Sequence, residues 1–427
     1  MSEIRNYLES KKEEMIRFLA EIAAIRSVQG DSSEEHPFGE ENAAVLKTVL
    51  KKCEEYGFAV ENVENYVGTA DINEKPPVLG ILTHLDVVPE GSGWNSDPFT
   101  LKRENGKLIC RGAIDDKGPA VASIFALRAV KDLGISLKKG VRLIFGTNEE
   151  NGSADLEYYR KKRELPPNVF TPDGEYPLIN GEKGMLRVYF SAEYSGKIAI
   201  TAGSVINAVP NLCQVRYENG ETLIYRGKSA HASTPEKGEN AITKFLEAVG
   251  EDISESLIVE LGKLFPHGTV DGSGFGMGFS DDISGKMTCV ITMLNTVENS
   301  LIGGIDIRFP LDRSKAEISE IVCGRLEAAG FRIESCDGTE PHLTSESSPF
   351  VQSLLKVYEK LTGEKGECLA IGGGTYVHEI EGGVAFGAEF PGEDGNMHGP
   401  DEFITEENLL KNAEIMAEAI IEIAGIA

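Results

Sequence analysis

The chain has 427 residues, which is long for a single hydrophobic core, so we expect two or three domains. Its 69 acidic residues exceed its 42 lysines and arginines and give a formal net charge of −27, which argues against nucleic-acid and anionic-membrane partners. With no long apolar run and no apolar N-terminal segment, the sequence predicts no membrane span, no signal peptide and a cytoplasmic protein. Seven scattered cysteines without C-x-x-C spacing predict reduced, mostly buried thiols.

The hydrophobic periodicity predicts two amphipathic helices over residues 3–27 and 40–56, followed by strands near 58–63 and 78–83. The first candidate site residues come directly after the second of these strands. The apolar strand 78–83 ends in His84 and Asp86, which point to the same side of an extended backbone. An imidazole with a carboxylate beside it can form part of a metal site, because the carboxylate fixes the tautomer of the ring.

Carboxylates recur at the ends of later apolar runs. They are Asp115-Asp116 before a helix over 120–131, Glu149-Glu150 after the run 141–145, and Asp173 after 168–170. The aspartate pair fits either helix capping or metal ligation. One of the two glutamates could bind metal while the other acts as a general base. Strands separated by helices predict a parallel sheet, and ligands bind at the carboxyl ends of such strands.

From about residue 184 the pattern changes to short alternating runs with polar turns, typical of an antiparallel meander. We therefore expect an α/β catalytic domain, with a mostly parallel sheet flanked by helices, in two parts (1–183 and 341–427). An inserted α+β lid domain is predicted over 184–340. The second catalytic part contains predicted helices over 347–362 and 405–424, with His398 in the loop between them.

Several common hydrolase motifs are missing, namely H-E-x-x-H, G-x-S-x-G and the P-loop. The candidate ligands that remain are two histidines and several carboxylates, namely His84, Asp115 or Asp116, Glu149 or Glu150, Asp173 and His398. Imidazole and carboxylate ligands suit Zn²⁺, Mn²⁺ or Co²⁺. A set of five such ligands favours two metal ions bridged by a carboxylate over a single ion.

The segments HLDVVP, GAIDDKGP, TNEENGS, TPDGEYP and NMHGPDE resemble the dinuclear metallopeptidase family of aminoacylase, carboxypeptidase G and succinyl-diaminopimelate desuccinylase. The resemblance covers nearly the whole chain in order. It is most specific to the dipeptidase V branch, through RGAIDDKGP, TPDGEYPLINGEKG, GKSAHASTPEKGENA and GGGTY.

This resemblance implies two divalent ions, zinc first and manganese or cobalt as alternatives. The ligands it implies are His84 and Asp173 for one ion, Glu150 and His398 for the other, and Asp115 as the bridge, with a cis peptide bond after Asp115.

The resemblance also implies catalytic roles for three side chains. Glu149 would be the general base and Asp86 would orient His84. His231 of the lid would stabilise the oxyanion, in its own subunit or across a dimer. Residues that would contact the substrate are Asn207, Arg308, Gly373, Gly374 and Thr375.

The predicted function is a metal-dependent dipeptidase acting on small free L-dipeptides, as a monomer or homodimer. An N-acyl amino acid amidohydrolase is the alternative with the same chemistry. An acidic group near the substrate amine would separate the two, with Asp116 and Glu389 as candidates. A non-catalytic metal-dependent binding protein is a third possibility, against which the presence of Glu149 argues.

Overall fold

The computed structural model describes residues 2–249 and 255–427. Backbone contacts divide the chain into two compact units. Unit 1 comprises the chain up to Asn180 together with Thr344–Leu369 and Thr375–Ala427, and unit 2 comprises Gly181–Leu343 and Ala370–Gly374. The interpretation of unit 2 as a lid stays a prediction.

The main sheet of unit 1 is parallel at its centre. In order across the sheet its strands are Ala59–Val63, Val67–Asp71, Gly140–Gly146, Pro77–His84, Asn168–Thr171, Val384–Ala385 and Leu178–Glu182, of which the last continues into unit 2. Pro77–His84 pairs in parallel with both of its neighbours, and His84 lies opposite Gly146. The carboxyl ends of these strands therefore meet at one edge, as expected for an open α/β sheet.

The central strand Pro77–His84 is buried on both faces, which explains its continuous apolar run. Leu79 and Ile81 pack into the larger core, whereas Leu82 packs into a smaller core on the other face. The α-helices of unit 1 are Glu3–Ala23, Glu40–Glu55, Lys117–Asp132, Ala154–Lys162, Pro349–Thr362 and Glu406–Ala424. A small three-stranded sheet is formed by Lys102–Glu104, Lys107–Ile109 and Phe403–Thr405.

Unit 2 contains a seven-stranded antiparallel sheet. Its order is Thr222–Arg226, Leu212–Tyr217, Ile198–Ala202, Thr288–Val297, Ser300–Phe309, Gly184–Glu193 and Arg332–Thr339. Three helices pack their apolar side chains into the same core as this sheet, namely Ala241–Val249, Ser256–Leu264 and Lys315–Ala328. Short strand pairs are Ser280–Asp281 with Gly285–Lys286, and His342–Leu343 with the end of Leu178–Glu182. This is an α+β arrangement.

The predicted fold class, a mostly parallel sheet flanked by helices with an α+β segment, is confirmed. One local prediction was wrong, since the first helix ends at Ala23 and not near residue 27. The strand Val67–Asp71 was missed by the sequence analysis. All seven cysteines are free thiols, four of them buried. Among the described residues, no helix combines the length and apolar character needed to cross a bilayer.

Candidate metal centre

Six acidic and histidine side chains converge at the carboxyl edge of the sheet in unit 1. His84 ends its strand, Asp115 lies two residues before the helix Lys117–Asp132, and Asp173 follows the strand Asn168–Thr171. The remaining three come from loops: Glu149 and Glu150 lie in a 3₁₀ turn after Gly140–Gly146, and His398 precedes the strand Phe403–Thr405. The peptide bond between Asp115 and Asp116 is cis, as predicted.

Asp115 lies between the two histidines. Its Oδ1 is 2.9 Å from His84 Nε2 and its Oδ2 is 2.7 Å from His398 Nε2. Asp173 Oδ2 lies 3.7 Å from the first of these nitrogens, and Glu150 Oε2 lies 3.3 Å from the second. The carboxylate of Asp115 is thus shared by two ligand groups.

Two sets of donor atoms lie close enough to hold metal ions. The sets are His84, Glu149 and Asp173, and Asp115, Glu150 and His398, with the donor atoms of each set within 4.8 Å of one another. Glu150 Oε1 is buried without a hydrogen-bond donor among the described residues. A donor set of imidazole nitrogens and carboxylate oxygens with such an oxygen fits borderline divalent ions.

The tautomer of His84 is fixed by its surroundings. His84 Nδ1 lies 3.0 Å from the main-chain oxygen of Asp86, which can only accept a hydrogen bond. Nδ1 therefore carries a proton, and Nε2 is the nitrogen that faces Asp115 and Asp173 and is left to bind a metal ion. The interaction predicted for Asp86 with His84 thus runs mainly through the main chain, since the carboxylate Oδ1 is 3.5 Å from Nδ1.

The buried carboxylates of this site favour a bound cation. Burial and the charge of Asp115 raise the pKa of Asp173 to about 7. Burial also raises the pKa of Glu149 and Glu150, and the neighbouring carboxylates add to the rise. Crowded buried carboxylates of this kind are stabilised in their ionised form by positive charge.

Two buried carboxylates hold the loop that contains the glutamate pair. Asp86 accepts hydrogen bonds from the backbone N–H groups of Glu149 and Glu150, both at 3.1 Å. Asp155 accepts from the two preceding N–H groups, those of Thr147 at 2.6 Å and Asn148 at 3.0 Å. Four successive amides are thus fixed, which restricts the backbone of residues 147–150.

Tyr376 supports both sides of this arrangement. Its hydroxyl donates a hydrogen bond to Asp155 Oδ2, and its ring lies edge-on to His84 with the centroids 6.1 Å apart. Sequence reasoning missed Tyr376 and Asp155 as supporting residues. The sequence offered only their positions as a signal. Tyr376 directly follows the segment GGGT, and Asp155 lies five residues after the glutamate pair.

The two acidic residues considered for a substrate amine have other contacts. Asp116 is fully buried and its Oδ2 accepts a hydrogen bond from the backbone N–H of His84 at 3.0 Å, so it holds the end of the strand. Glu389 is partly buried and accepts a hydrogen bond from the backbone N–H of Gly395.

The other predicted substrate residues, apart from Thr375, lie in unit 2. Arg308 is buried and forms a bidentate pair with Asp306 at 2.7 and 3.0 Å, and its Nη1 donates to the main-chain oxygen of Gly372 at 2.9 Å. Gly373 and Gly374 follow in the same turn. Thr375 is the first residue of the next unit 1 segment, where its side chain caps the turn Tyr376–Glu379.

Asn207 and His231 lie on adjacent segments of unit 2. The N–H of Ala232 donates to the main-chain oxygen of Asn207 at 2.8 Å, and Ala208 and His231 form an isolated bridge. His231 is exposed, and its Nδ1 lies 2.7 Å from Ser233 Oγ. A Cβ atom built on Gly372 would lie 3.1 Å from Ser233 Cβ, so the glycine turn and the His231 segment are neighbours.

Comparison with known proteins identifies the family. The model of Peptidase family M20/M25/M40 matches residues 80–422. The chain belongs to this family. Over 97% of its length it is 33% identical to the protein named "Putative dipeptidase YtjP" of Bacillus subtilis (strain 168), with 98% of that protein covered. It is 32% identical to the Beta-Ala-Xaa dipeptidase of Lactobacillus delbrueckii subsp. lactis, with 97% of each chain covered.

A solved structure has the same fold. Human carnosine dipeptidase 1 superposes with a TM-score of 0.68 at 17% identity, over 99% of this chain and 98% of that one. The M20 family binds divalent metals in a dinuclear site, and the two donor sets of this M20 chain lie in unit 1. The predicted family and enzyme class, a dinuclear metallopeptidase with dipeptidase relatives, are confirmed.

Proposed function

We propose that this M20 peptidase hydrolyses the peptide bond of small free L-dipeptides, with Glu149 as general base. The observation that carries the proposal is the position of Asp115, whose two oxygens face two histidine nitrogens at 2.9 and 2.7 Å. The two dipeptidase relatives, each matched over nearly its whole length, support the substrate class.

The proposed ligands are those implied by the sequence. His84 and Asp173 would hold one ion, Glu150 and His398 the other, and Asp115 both. Two bound divalent ions, zinc in the first instance and otherwise manganese or cobalt, would lower the pKa of a water molecule and polarise the substrate carbonyl.

The protein itself would move the proton. Glu149 would take it from the attacking water and deliver it to the leaving amine. Burial and the neighbouring carboxylates raise its pKa, which makes it a stronger base than an ordinary glutamate. The hydrogen bond from its backbone N–H to Asp86 would keep the side chain at a fixed distance from His84.

Residues of unit 2 would complete substrate recognition. His231 is proposed as a donor to the developing oxyanion, with Asn207 and Arg308 as substrate contacts. The turn Gly373-Gly374-Thr375 is proposed to bind the substrate carboxylate through backbone N–H groups.

The first experiment separates a general base from a ligand at position 149. Metal-stripped protein is reloaded with Zn²⁺ or Mn²⁺, and the wild type, Glu149→Gln and the control Glu157→Gln are assayed on a free L-dipeptide and its N-acetylated twin. Glu157 is an exposed glutamate paired with Lys161, so its variant should retain full activity. We expect Glu149→Gln to lower kcat by at least about 10³-fold and to keep two bound ions per chain.

The outcomes lead to different conclusions. Loss of one ion in Glu149→Gln would make Glu149 a ligand and contradict its role as base. Cleavage of only the acetylated compound would replace the dipeptidase with an amidohydrolase. Two bound ions without hydrolysis of either compound would favour the binding protein.

The role of His231 is tested by mixing. His231→Ala should lower kcat by about 10²-fold with unchanged metal content. If His231 acts across a dimer, a mixture of His231→Ala and Glu149→Gln chains should gain activity above that of either variant alone after subunit exchange. If it acts within its own chain, the mixture should show no such gain. Analytical ultracentrifugation of the wild type gives the oligomeric state in parallel.

A further inference from the structure

A fully buried ion pair lies beside the metal centre in unit 1. Arg111 and Glu402 are exposed by 1% and 0%, and Arg111 Nη1 lies 2.6 Å from Glu402 Oε2. Removing two charges from water is costly, and apolar residues of similar size often stabilise a fold equally well. The other contacts of this pair therefore indicate what it does.

Both members of the pair reach the backbone of proposed metal ligands. Glu402 Oε1 accepts hydrogen bonds from the N–H groups of Ile114 at 3.0 Å and Asp115 at 3.3 Å. Arg111 Nη2 donates to the main-chain oxygen of His398 at 3.3 Å. The pair thus connects two segments that are far apart in sequence and that supply two members of one donor set.

The segment around His398 needs such external contacts. His398 has a φ of +60°, and Asn396 and Asp401 have values of +58° and +55°. Left-handed backbone is uncommon for residues other than glycine and persists where neighbouring groups impose it. Contacts to the backbone and loop of this segment include the Arg111 hydrogen bond to the main-chain oxygen of His398 and a bond from the N–H of Asn95 to Asp401 at 3.0 Å.

We propose that Arg111 and Glu402 are positioning residues of the metal centre, which hold Asp115 and His398 at the separation that one divalent ion requires. The inference rests on the proposed metal-dependent function and adds two residues to it. Neither side chain belongs to the two donor sets. Each acts through the backbone of a ligand, so the measurable consequence is metal affinity.

The only tryptophan of the chain provides a second readout. The guanidinium of Arg111 lies 5.2 Å from the centre of the Trp94 ring. The indole N–H donates to the main-chain oxygen of Glu90 at 2.6 Å, and Arg111 Nη2 donates to the same oxygen at 3.3 Å. A shift of Arg111 when an ion binds His398 should therefore change the emission of Trp94.

The test is a titration of metal-free full-length protein with Mn²⁺ and with Zn²⁺, followed by calorimetry and by Trp94 emission. Glu402→Gln keeps the shape of the side chain and an acceptor for the N–H of Asp115 but places a neutral amide against Arg111. Arg111→Lys keeps the positive charge but removes the planar guanidinium with its several N–H donors. Arg142→Lys is the control, because Arg142 forms a bidentate pair with Asp71 elsewhere in unit 1, with both atom pairs at 2.8 Å.

We expect two ions to bind the wild type, with a change in Trp94 emission during the titration. In Glu402→Gln and Arg111→Lys one of the two ions should bind about 10- to 100-fold more weakly, the range found for residues that support metal ligands. The emission change should shift to the same higher concentration. Arg142→Lys should match the wild type in both measurements.

Each contrary outcome is distinct. Wild-type affinity for both ions in the two variants overturns the inference and leaves the proposed function intact. An equal loss in Arg142→Lys overturns it as well, because the effect would then be general. If the variants fail to fold, as judged by circular dichroism, the titration of the wild type still tests the inference. Trp94 emission that stays constant while the wild type binds two ions would contradict it. A wild type that binds no ion ends the proposed function and the inference together.

Discussion

Replacement of Tyr376 by phenylalanine removes one hydroxyl from the support of the glutamate loop. Tyr376 is 2% exposed, and its hydroxyl donates to the fully buried carboxylate of Asp155. Without it, Asp155 keeps the backbone N–H groups of Thr147, Asn148 and Leu156. The variant therefore probes a single charge-assisted hydrogen bond in an otherwise unchanged site.

The size of the effect should depend on pH. Burial and the charge of Asp86 raise the pKa of Asp155 to about 6 from 3.8, whereas the Tyr376 hydrogen bond opposes this rise. Because the folded protein binds this proton more tightly than the unfolded chain, this group favours folding most below pH 3.8. That contribution, about 3 kcal/mol at 1.36 kcal/mol per pH unit, is lost as the pH rises to about 6.

In Tyr376→Phe the pKa of Asp155 should rise further, so the stabilising contribution of the Asp155 proton should be lost over a range that extends to higher pH. At pH 8 the wild-type carboxylate is ionised, and loss of a bond to a charged group should cost about 2 kcal/mol. At pH 5 the carboxyl group is mostly protonated, and loss of a neutral bond should cost about 1 kcal/mol or less. The measurement is the free energy of urea unfolding at both pH values, in the presence of a chelator, with Trp94 emission as the probe of unit 1.

Tyr7→Phe is a matched control, because the Tyr7 hydroxyl donates to the carboxylate of Asp132 at 2.5 Å in an exposed setting. It should change the free energy of unfolding by about 0.5 kcal/mol or less at either pH. Equal destabilisation by Tyr376→Phe at pH 5 and pH 8 would refute the reasoning. So would a change below about 0.5 kcal/mol at pH 8.

Two further predictions concern stability. Lys117 is fully buried, and its Nζ donates to the main-chain oxygens of Ile22 at 3.0 Å and Ile25 at 2.8 Å. Lys117→Met should therefore lower the free energy of unfolding, measured in urea, by about 2–4 kcal/mol. An unchanged midpoint of urea unfolding would contradict this prediction. Removal of metal by a chelator should lower the Tm by roughly 10 °C in differential scanning fluorimetry, and readdition of Zn²⁺ or Mn²⁺ should restore it. An equal Tm with and without metal would contradict the proposed centre.

The convergence of His84, Asp173 and the glutamate pair could be predicted because each follows an apolar run. His84 and Asp173 follow apolar runs that are long enough for buried strands, and Glu150 follows another. Parallel pairing then brings strand ends together, as the register of His84 with Gly146 does. The sequence pattern and the physics of sheets are sufficient for this convergence, whereas the choice of Asp115, Glu150 and His398 as ligands came from the family resemblance and stays a proposal.

The supporting residues could not be predicted, because their roles depend on contacts between distant segments. Arg111 and Glu402 are 291 positions apart, and Asp155 and Tyr376 are 221 apart. No local pattern indicates such pairs. The same reason applies to the end of the first helix, where Lys117 Nζ donates to the main-chain oxygen of Ile22 in the last turn. The strand Val67–Asp71 has few apolar residues, and it is defined by its pairing with Ala59–Val63 and Gly140–Gly146.

The division of the chain has a consequence for biosynthesis. The polypeptide crosses between the two units four times, and unit 1 receives its last segment from Thr375 onward. On the ribosome, four of the proposed ligands, His84, Asp115, Glu150 and Asp173, therefore emerge long before the proposed fifth ligand, His398, and before Glu402. A nascent chain can hold a partial set of donors, but the proposed centre is complete only after unit 2 has been synthesised. Metal loading of this centre would therefore follow synthesis of unit 2.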